Sequence, residues 1–253
     1  MCWWRGRAYA CVIVECSLFH LAAPALFLTA SNASHPCQLP VAPIASTVAA
    51  PAALAQRADQ SELNEHLERA ELALREDEYR TAAEEYLAAA KLSPEAEVAQ
   101  TATRVAYTYG FNEIGIDAAE RWLDVEEDSD EALLYAAQLH LRVGDLGDSG
   151  RYFSRLIKAG DGPPEERLLS LIPILSEEDA TDANRLMRRL ARPYQKTGFA
   201  QYAMAVMALQ AGQAEDAEKF AQRAIELEPE WIKPKLLFAR ALMLGGEDED
   251  AID

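Results

Sequence analysis

Residues 211–229 read AGQAEDAEKFAQRAIELEP, and residues 76–94 read EDEYRTAAEEYLAAAKLSP. Each stretch has a turn, an alanine, a second alanine seven residues later and a proline five residues after that. Apolar residues recur three and four positions apart, which is the spacing of one face of an α-helix. Both stretches are dominated by residues that favour helices, such as Ala, Leu and Glu. They therefore predict the same helical unit at two places in the chain.

The first alanine of this unit serves as a ruler for the rest of the sequence. Equivalent small residues stand 36, 31, 34, 34 and 34 positions apart. They are Ala82, Ala118, Ser149, Ala183, Ala217 and Ala251. Four of them are followed one helical turn later by a large residue, at Tyr86, Trp122, Phe153 and Met187. We expect two helices to cross closely at each small residue and each large residue to fill the space beside it. A fixed period of this length is the signature of a repeat architecture.

Glycines mark the expected turns at Gly144, Gly212 and Gly246, and prolines end two units at Pro94 and Pro229. With these features the chain resembles the tetratricopeptide repeat (TPR) family, whose unit is a helix-turn-helix of 34 residues. The first helices carry the small residue that this family favours, at Ala70, Ala106, Ala137, Ala205 and Ala239.

The resemblance implies an all-α fold, a right-handed α-α superhelix (TPR solenoid) of about five and a half helix-pair repeats. The array covers residues 61–253, and its repeats are residues 63–96, 97–130, 131–163, 164–197, 198–231 and the truncated 232–253. The second repeat has an unusual turn at Gly110, and the fourth lacks a turn glycine. An unrelated all-α bundle is the alternative.

The N-terminus is expected to be a targeting segment. Arg5 and Arg7 precede an apolar stretch over residues 8–30, and small-residue cleavage candidates follow at residues 31–33 and 53–55. We expect residues 1–33 to be signal-like and residues 34–60, rich in Ala, Pro, Ser and Thr, to be a flexible tether. Pro36 precedes Cys37 where a lipobox has a small residue, so the lipidation pattern fails there. The alternative is a disordered extension.

Composition excludes several function classes. Lys and Arg total 24 against 42 Asp and Glu, a net charge of -18, which disfavours nucleic acid and anionic lipid surfaces as partners. All four cysteines lie in the first 37 residues, without zinc-ligand spacing.

The run Gly144–Gly150 has no preceding strand and is interpreted as an inter-helix turn, and the acidic run at 124–131 as a solvated loop. We predict no catalytic residue, no cofactor, no metal and no small-molecule substrate.

The resemblance implies a concave face that is lined by the first helix of each repeat and binds a segment of a partner. The positions of this chain that match the family's groove are Arg75, Thr103, Tyr107, Gln138, Arg142, Ile172, Tyr202, Val206, Leu236 and Arg240. Family members that clamp a carboxyl terminus use Lys and Asn at paired groove positions. At those paired positions this chain has other residues, so a carboxylate clamp is disfavoured. They are Leu67 with Glu71, Thr103 with Tyr107, and Leu134 with Gln138.

We therefore expect a non-catalytic scaffold that binds a protein or peptide. The organisation is similar to that of bacterial periplasmic TPR lipoproteins, some of which hold a processing protease or cell-wall hydrolases at the outer membrane. That likeness implies export to the periplasm, with a membrane tether only at the N-terminus; the cytoplasm is the alternative. Two rival functions are self-association and a regulatory arm of a larger protein cut at residue 253, since residues 250–253 begin a second helix and stop.

Overall fold

The computed structural model describes residues 50–246, with side-chain exposures from residue 59 onward. This part of the chain is α-helical without strands, as predicted. Its helices are α1 (Ala50–Arg75), α2 (Tyr79–Leu92), α3 (Ala96–Thr108), α4 (Asn112–Val125), α5 (Asp130–Arg142), α6 (Leu146–Ala159), α7 (Pro164–Leu175), α8 (Ala180–Ala191), α9 (Gly198–Gln210), α10 (Ala214–Leu227) and α11 (Ile232–Gly245), with a 3₁₀ turn at Arg192–Tyr194. The predicted targeting segment 1–33, residues 34–49 of the tether, and Ala251 lie outside the described residues.

Helix α1 is longer than the sequence reasoning expected. It begins at Ala50, so residues 50–60 of the predicted flexible tether are helical. This stretch (APAALAQRADQ) is rich in alanine, the strongest helix former, and its proline stands in the first turn, where a proline is tolerated. These residues of the predicted tether thus belong to α1, and so does the cleavage candidate at residues 53–55.

The turns of four helix pairs each contain one residue with a positive φ angle, and the turn between α7 and α8 contains none. Gly144 and Gly212 have positive φ angles of 80° and 71°, which glycine adopts without steric cost. Gly110, whose turn we expected to be unusual, has a φ of 76° and makes the same turn. In the first pair Asp77, a non-glycine residue, takes this place with a φ of 60°.

The small residues that mark the repeat period lie where two helices meet. Every described member of the set, including Ser149, is buried, and so are Tyr86, Trp122, Phe153 and Met187. The expected close crossing and gap filling are thus confirmed. Most first-helix alanines are also fully buried, while Ala239 in α11 is only partly so. One continuous apolar core runs from α1 to α9, and two smaller clusters join α9, α10 and α11.

The stacking of the helices is regular except around α7. From α1 to α6, consecutive helices pack closely against one another. Helix α7 instead packs mainly against α9 and makes little contact with α6. It contains Pro173, and a proline inside a helix removes one backbone hydrogen bond and crowds the preceding turn. The fourth helix pair is therefore the irregular one, and it also lacks the turn glycine.

Arginine side chains connect successive repeats. Arg121 in α4 donates to the carbonyl oxygens of Ala90 and Ser93 at 3.0 and 2.8 Å, at the end of α2. Arg155 in α6 donates to the carbonyl oxygen of Glu127 at 2.8 Å, just beyond α4. The last carbonyls of a helix have no partner within the helix, and these guanidinium groups supply one.

Replacing Ser149 by alanine should stabilise the fold. The Ser149 hydroxyl is buried and lacks a hydrogen-bond partner among the described residues, while alanine stands at the equivalent positions of the other repeats. Removing an unsatisfied buried hydroxyl should raise the free energy of unfolding by about 1 kcal/mol. Urea unfolding followed by circular dichroism measures the change.

Ser154 in the same helix is the matched control. Its hydroxyl donates to the carbonyl oxygen of Gly150 at 2.6 Å, so Ser154→Ala loses a bond and should not stabilise. A Ser149→Ala variant no more stable than Ser154→Ala contradicts the interpretation.

Candidate functional site: the face of the odd-numbered helices

The ten predicted groove residues all lie on odd-numbered helices, but their side chains differ in exposure. Arg75, Leu236 and Arg240 are exposed, whereas Tyr107, Ile172, Tyr202 and Val206 are half-buried. Thr103 and Gln138 are buried, and the Thr103 hydroxyl donates to the carbonyl oxygen of Ala99 within its own helix at 2.8 Å. These two side chains are shielded from solvent, whereas the other predicted groove residues are at least partly exposed.

Arg142 is the centre of a cluster that spans three repeats. Its Nη2 donates to the hydroxyl of Tyr107 at 2.7 Å, and its Nε donates to both carboxylate oxygens of Glu178 at 3.0 Å. Its guanidinium carbon also lies 4.1 Å from the Tyr107 ring centre, within cation-π range. Side chains from α3, α5 and the turn after α7 are thereby fixed relative to one another.

Charge and burial set the protonation of this cluster. Burial raises the pKa of Tyr107, against the opposing effect of the Arg142 charge, so the phenol stays protonated near neutral pH. For Arg142, desolvation acts to lower the pKa, but the hydrogen bond and charge of Glu178 outweigh it and the pKa is raised. The cluster is a fixed ion pair next to a neutral phenol.

Sequence reasoning missed Glu178, although a signal existed. Tyr107 and Arg142 are 35 residues apart, and Arg142 and Glu178 are 36 residues apart, so the three stand about one repeat apart. Ser176 and Gln210 make a further link of this kind, 34 residues apart. A search for polar residues at the repeat period finds these links, which hydrophobic periodicity does not.

A second group, made of aromatic residues, lies where α9 meets the start of α11. The Trp231 ring centre is 4.7 Å from that of Tyr202 and 5.2 Å from that of Phe199. Trp231 immediately precedes α11 and was also missed, since it stands outside the periodic part of its helix. Burial raises the pKa of Tyr202, which keeps its hydroxyl protonated. Beyond this group Leu236 is 62% exposed. The arrangement offers aromatic, aliphatic and cationic contacts on one end of the helical array.

One cluster has the composition of a metal site. His140, Asp145 and Asp148 place potential ligand atoms within 4.8 Å of one another. Both carboxylates already have partners. Asp145 accepts from the backbone amides of Gly147 and Asp148 at 3.0 and 3.1 Å, and Asp148 pairs with Arg151 at 3.1 Å. These backbone hydrogen bonds lower the pKa of Asp145. The cluster is the N-cap of α6, in the turn that the sequence predicted at Gly144–Gly150.

No described helix combines the length and the hydrophobicity that a bilayer span requires. Neither a protein-family model nor a curated protein sequence matches the chain.

Solved structures of TPR proteins do match. A TPR protein from Parabacteroides merdae is 15% identical, with 76% of this chain and 77% of that chain covered and a TM-score of 0.39. PilW, described as a type IV pilus biogenesis factor, is 17% identical over 75% and 89%, with a TM-score of 0.36. YrrB, described as a TPR protein with an unusual peptide-binding site, is 16% identical over 67% and 88%, with a TM-score of 0.36.

At these values the likeness concerns the fold alone. The resemblance to tetratricopeptide repeats is confirmed at that level, and the helix-pair order and the buried ruler residues carry it.

The Arg142–Glu178 pair should show asymmetric losses of stability. The Glu178 side chain is only 7% exposed and that of Arg142 is 27% exposed. Arg142→Ala leaves a nearly buried carboxylate without its cation and should lower the free energy of unfolding by about 2 kcal/mol. Glu178→Ala leaves a more exposed cation and should cost about 1 kcal/mol.

A double-mutant cycle measured by urea unfolding tests this pair. The coupling energy should be about 1 kcal/mol, whereas the exposed pair of Arg185 and Asp182 should show almost none. Losses that simply add in the double variant would contradict the interpretation.

Proposed function

We propose that this chain is a non-catalytic scaffold that binds an extended segment of a partner protein along the face of its odd-numbered helices. The observation that carries the proposal is the combination of Tyr202 and Trp231 with the exposed Leu236 and Arg240 on this face. Aromatic residues and arginine are the side chains most enriched at binding hot spots. Tyr202 stands on α9, whose alanines are fully buried, so this part of the binding surface is preorganised and little entropy is lost there on association.

The chemistry of the face supports binding rather than catalysis. Arg142 carries a fixed positive charge and is held by Glu178, and the pKa values of Tyr107 and Tyr202 are raised rather than lowered. A nucleophile needs an activating base or a lowered pKa, and neither tyrosine has that setting.

The proposed location is the bacterial periplasm after export. The support is the sequence pattern of the leader, with Arg5 and Arg7 ahead of an apolar stretch and small residues after it. A protease or a cell-wall enzyme is the partner class that the similarity in organisation implies. The cytoplasm remains the alternative location.

Selection from a phage-displayed library of random 16-residue peptides on the full chain tests the proposed function. Selected peptides, labelled and titrated by fluorescence polarisation, should bind Tyr202→Ala or Leu236→Ala about tenfold more weakly, since each truncation removes about 1.4 kcal/mol of contact energy. Leu92→Ala is the matched control, because Leu92 is an exposed leucine on the even-numbered helix α2. This variant should bind the selected peptides as tightly as the unmodified chain does. The proposal fails if no peptide is enriched, or if Leu92→Ala weakens binding as much as Leu236→Ala.

Self-association is a second candidate function. Ile232, Leu236 and Met243 lie along one stripe of α11 and are 67%, 62% and 60% exposed within the described part of the chain. Exposed apolar stripes of this kind mark protein interfaces. If the stripe joins two copies, light scattering at high concentration should give a dimer for the full chain and a monomer for Leu236→Asp. A monomer for the unmodified chain at all concentrations removes this candidate.

A further inference from the structure

A pocket opens where the regular stacking of helices is interrupted. Because α7 packs against α9 and makes little contact with α6, a space remains between α5, α6 and α7. The space has a volume of about 280 Å³. Its walls are mostly aliphatic, formed by Leu134 of α5, Leu156 and Ile157 of α6, and Leu171 and Ile174 of α7. Sites for drug-sized molecules and cofactors begin at about 300 Å³, so this pocket suits a single anchoring side chain better.

Arg167 of α7 also lines this space, and one nitrogen of its guanidinium lacks a hydrogen-bond partner. Its Nη1 is shielded from solvent and has no hydrogen-bond partner among residues 59–246. Within the same part of the chain, no carboxylate makes an ion pair with Arg167. Its guanidinium lies against Gly160, where an added Cβ atom would overlap it. A shielded guanidinium nitrogen without an acceptor is costly, and a carboxylate is the group whose geometry a guanidinium matches best.

The acidic residues at the rim do not satisfy Arg167. Glu131 is held by Arg104 at 2.6 Å and by the amide of Gln100 at 3.2 Å. Asp130 belongs to α5, on the opposite wall of the pocket from α7, and is exposed. The pocket thus has an acidic rim on one wall and an unpartnered cation on the other, with aliphatic side chains between them. This polarity fixes which end of a ligand carries its negative charge.

We propose that this pocket receives an aliphatic side chain of a bound partner segment and that Arg167 binds the carboxylate of an adjacent Asp or Glu in the same segment. The inference rests on the proposed function, because it names the partner chemistry that the odd-numbered helices would select. The aliphatic walls supply burial of the anchor, and the guanidinium supplies selectivity for an acidic neighbour.

Selection of a phage-displayed library of random heptapeptides on the full chain tests this inference. Enriched peptides should contain an aliphatic residue beside an acidic one. A labelled enriched peptide should lose about tenfold in affinity when its acidic residue is changed to the amide, and about tenfold against the Arg167→Gln protein. Ser170→Phe, at an exposed position that lines the pocket, should abolish binding by filling the space.

Arg185→Gln is the matched control, since Arg185 is an exposed arginine on the neighbouring helix α8 and does not line the pocket. Circular dichroism checks that each variant is folded. Enriched peptides that bind Arg167→Gln and Ser170→Phe as tightly as the unmodified chain overturn the inference. If Leu236→Ala still weakens those peptides, the proposed function stands without the pocket. Absence of any enriched peptide overturns both.

Discussion

The close approach of paired helices at a single small residue in each repeat is the constraint on which the structure depends. The exposed fraction of this residue is at most 1% at Ala82, Ala118, Ala183 and Ala217. A larger side chain at any of them would push two helices apart, because protein interiors have no free volume to absorb it. The bulky residue one turn later then fills the remaining space. This alternation of small and large residues makes each helix pair stiff, and a stiff pair holds the side chains of its odd-numbered helix in fixed places for binding.

The arginines show how one charged residue type serves two purposes. Arg121 and Arg155 bind backbone carbonyls at helix ends, and Arg142 binds Glu178 and Tyr107. These guanidinium groups hold repeats together over sequence separations of 28 to 36 residues. In a solenoid each repeat contacts mainly its neighbours, so such links add to the nearest-neighbour terms that determine its stability. Arg167, whose guanidinium has no such bond among the described residues, differs from this group, and that difference is what indicates a ligand.

The sequence predicted the features that depend on local pattern. The period, the buried small residues and the glycine turns follow from helix geometry and from the conformational freedom of glycine, and the structure has them. Features that depend on how neighbouring repeats meet were not predicted. Thr103 and Gln138 are buried because the rotation of a helix against its neighbours decides which of its positions face outward. Glu178 and Trp231 lie outside the helices, so hydrophobic periodicity does not place them, although the repeat period of polar residues marks Glu178. The gap beside α6 and α7 arises from a change of packing partner, which a repeat length close to 34 residues conceals.

The net charge of -18 and the preference of the pocket for an acidic neighbour act at different distances. The summed negative field opposes the approach of an acidic segment, but at physiological ionic strength it is screened beyond about 8 Å. Arg167 acts within hydrogen-bond distance in a partly desolvated space, where screening is weak. Long-range repulsion therefore slows association with highly acidic chains, while Arg167 stabilises one carboxylate next to an aliphatic anchor. A segment with a single acidic residue beside its anchor fits both conditions, whereas a run of acidic residues satisfies only the second. Together the two effects select partner segments with few acidic residues, and the acidic surface does not prevent such segments from binding.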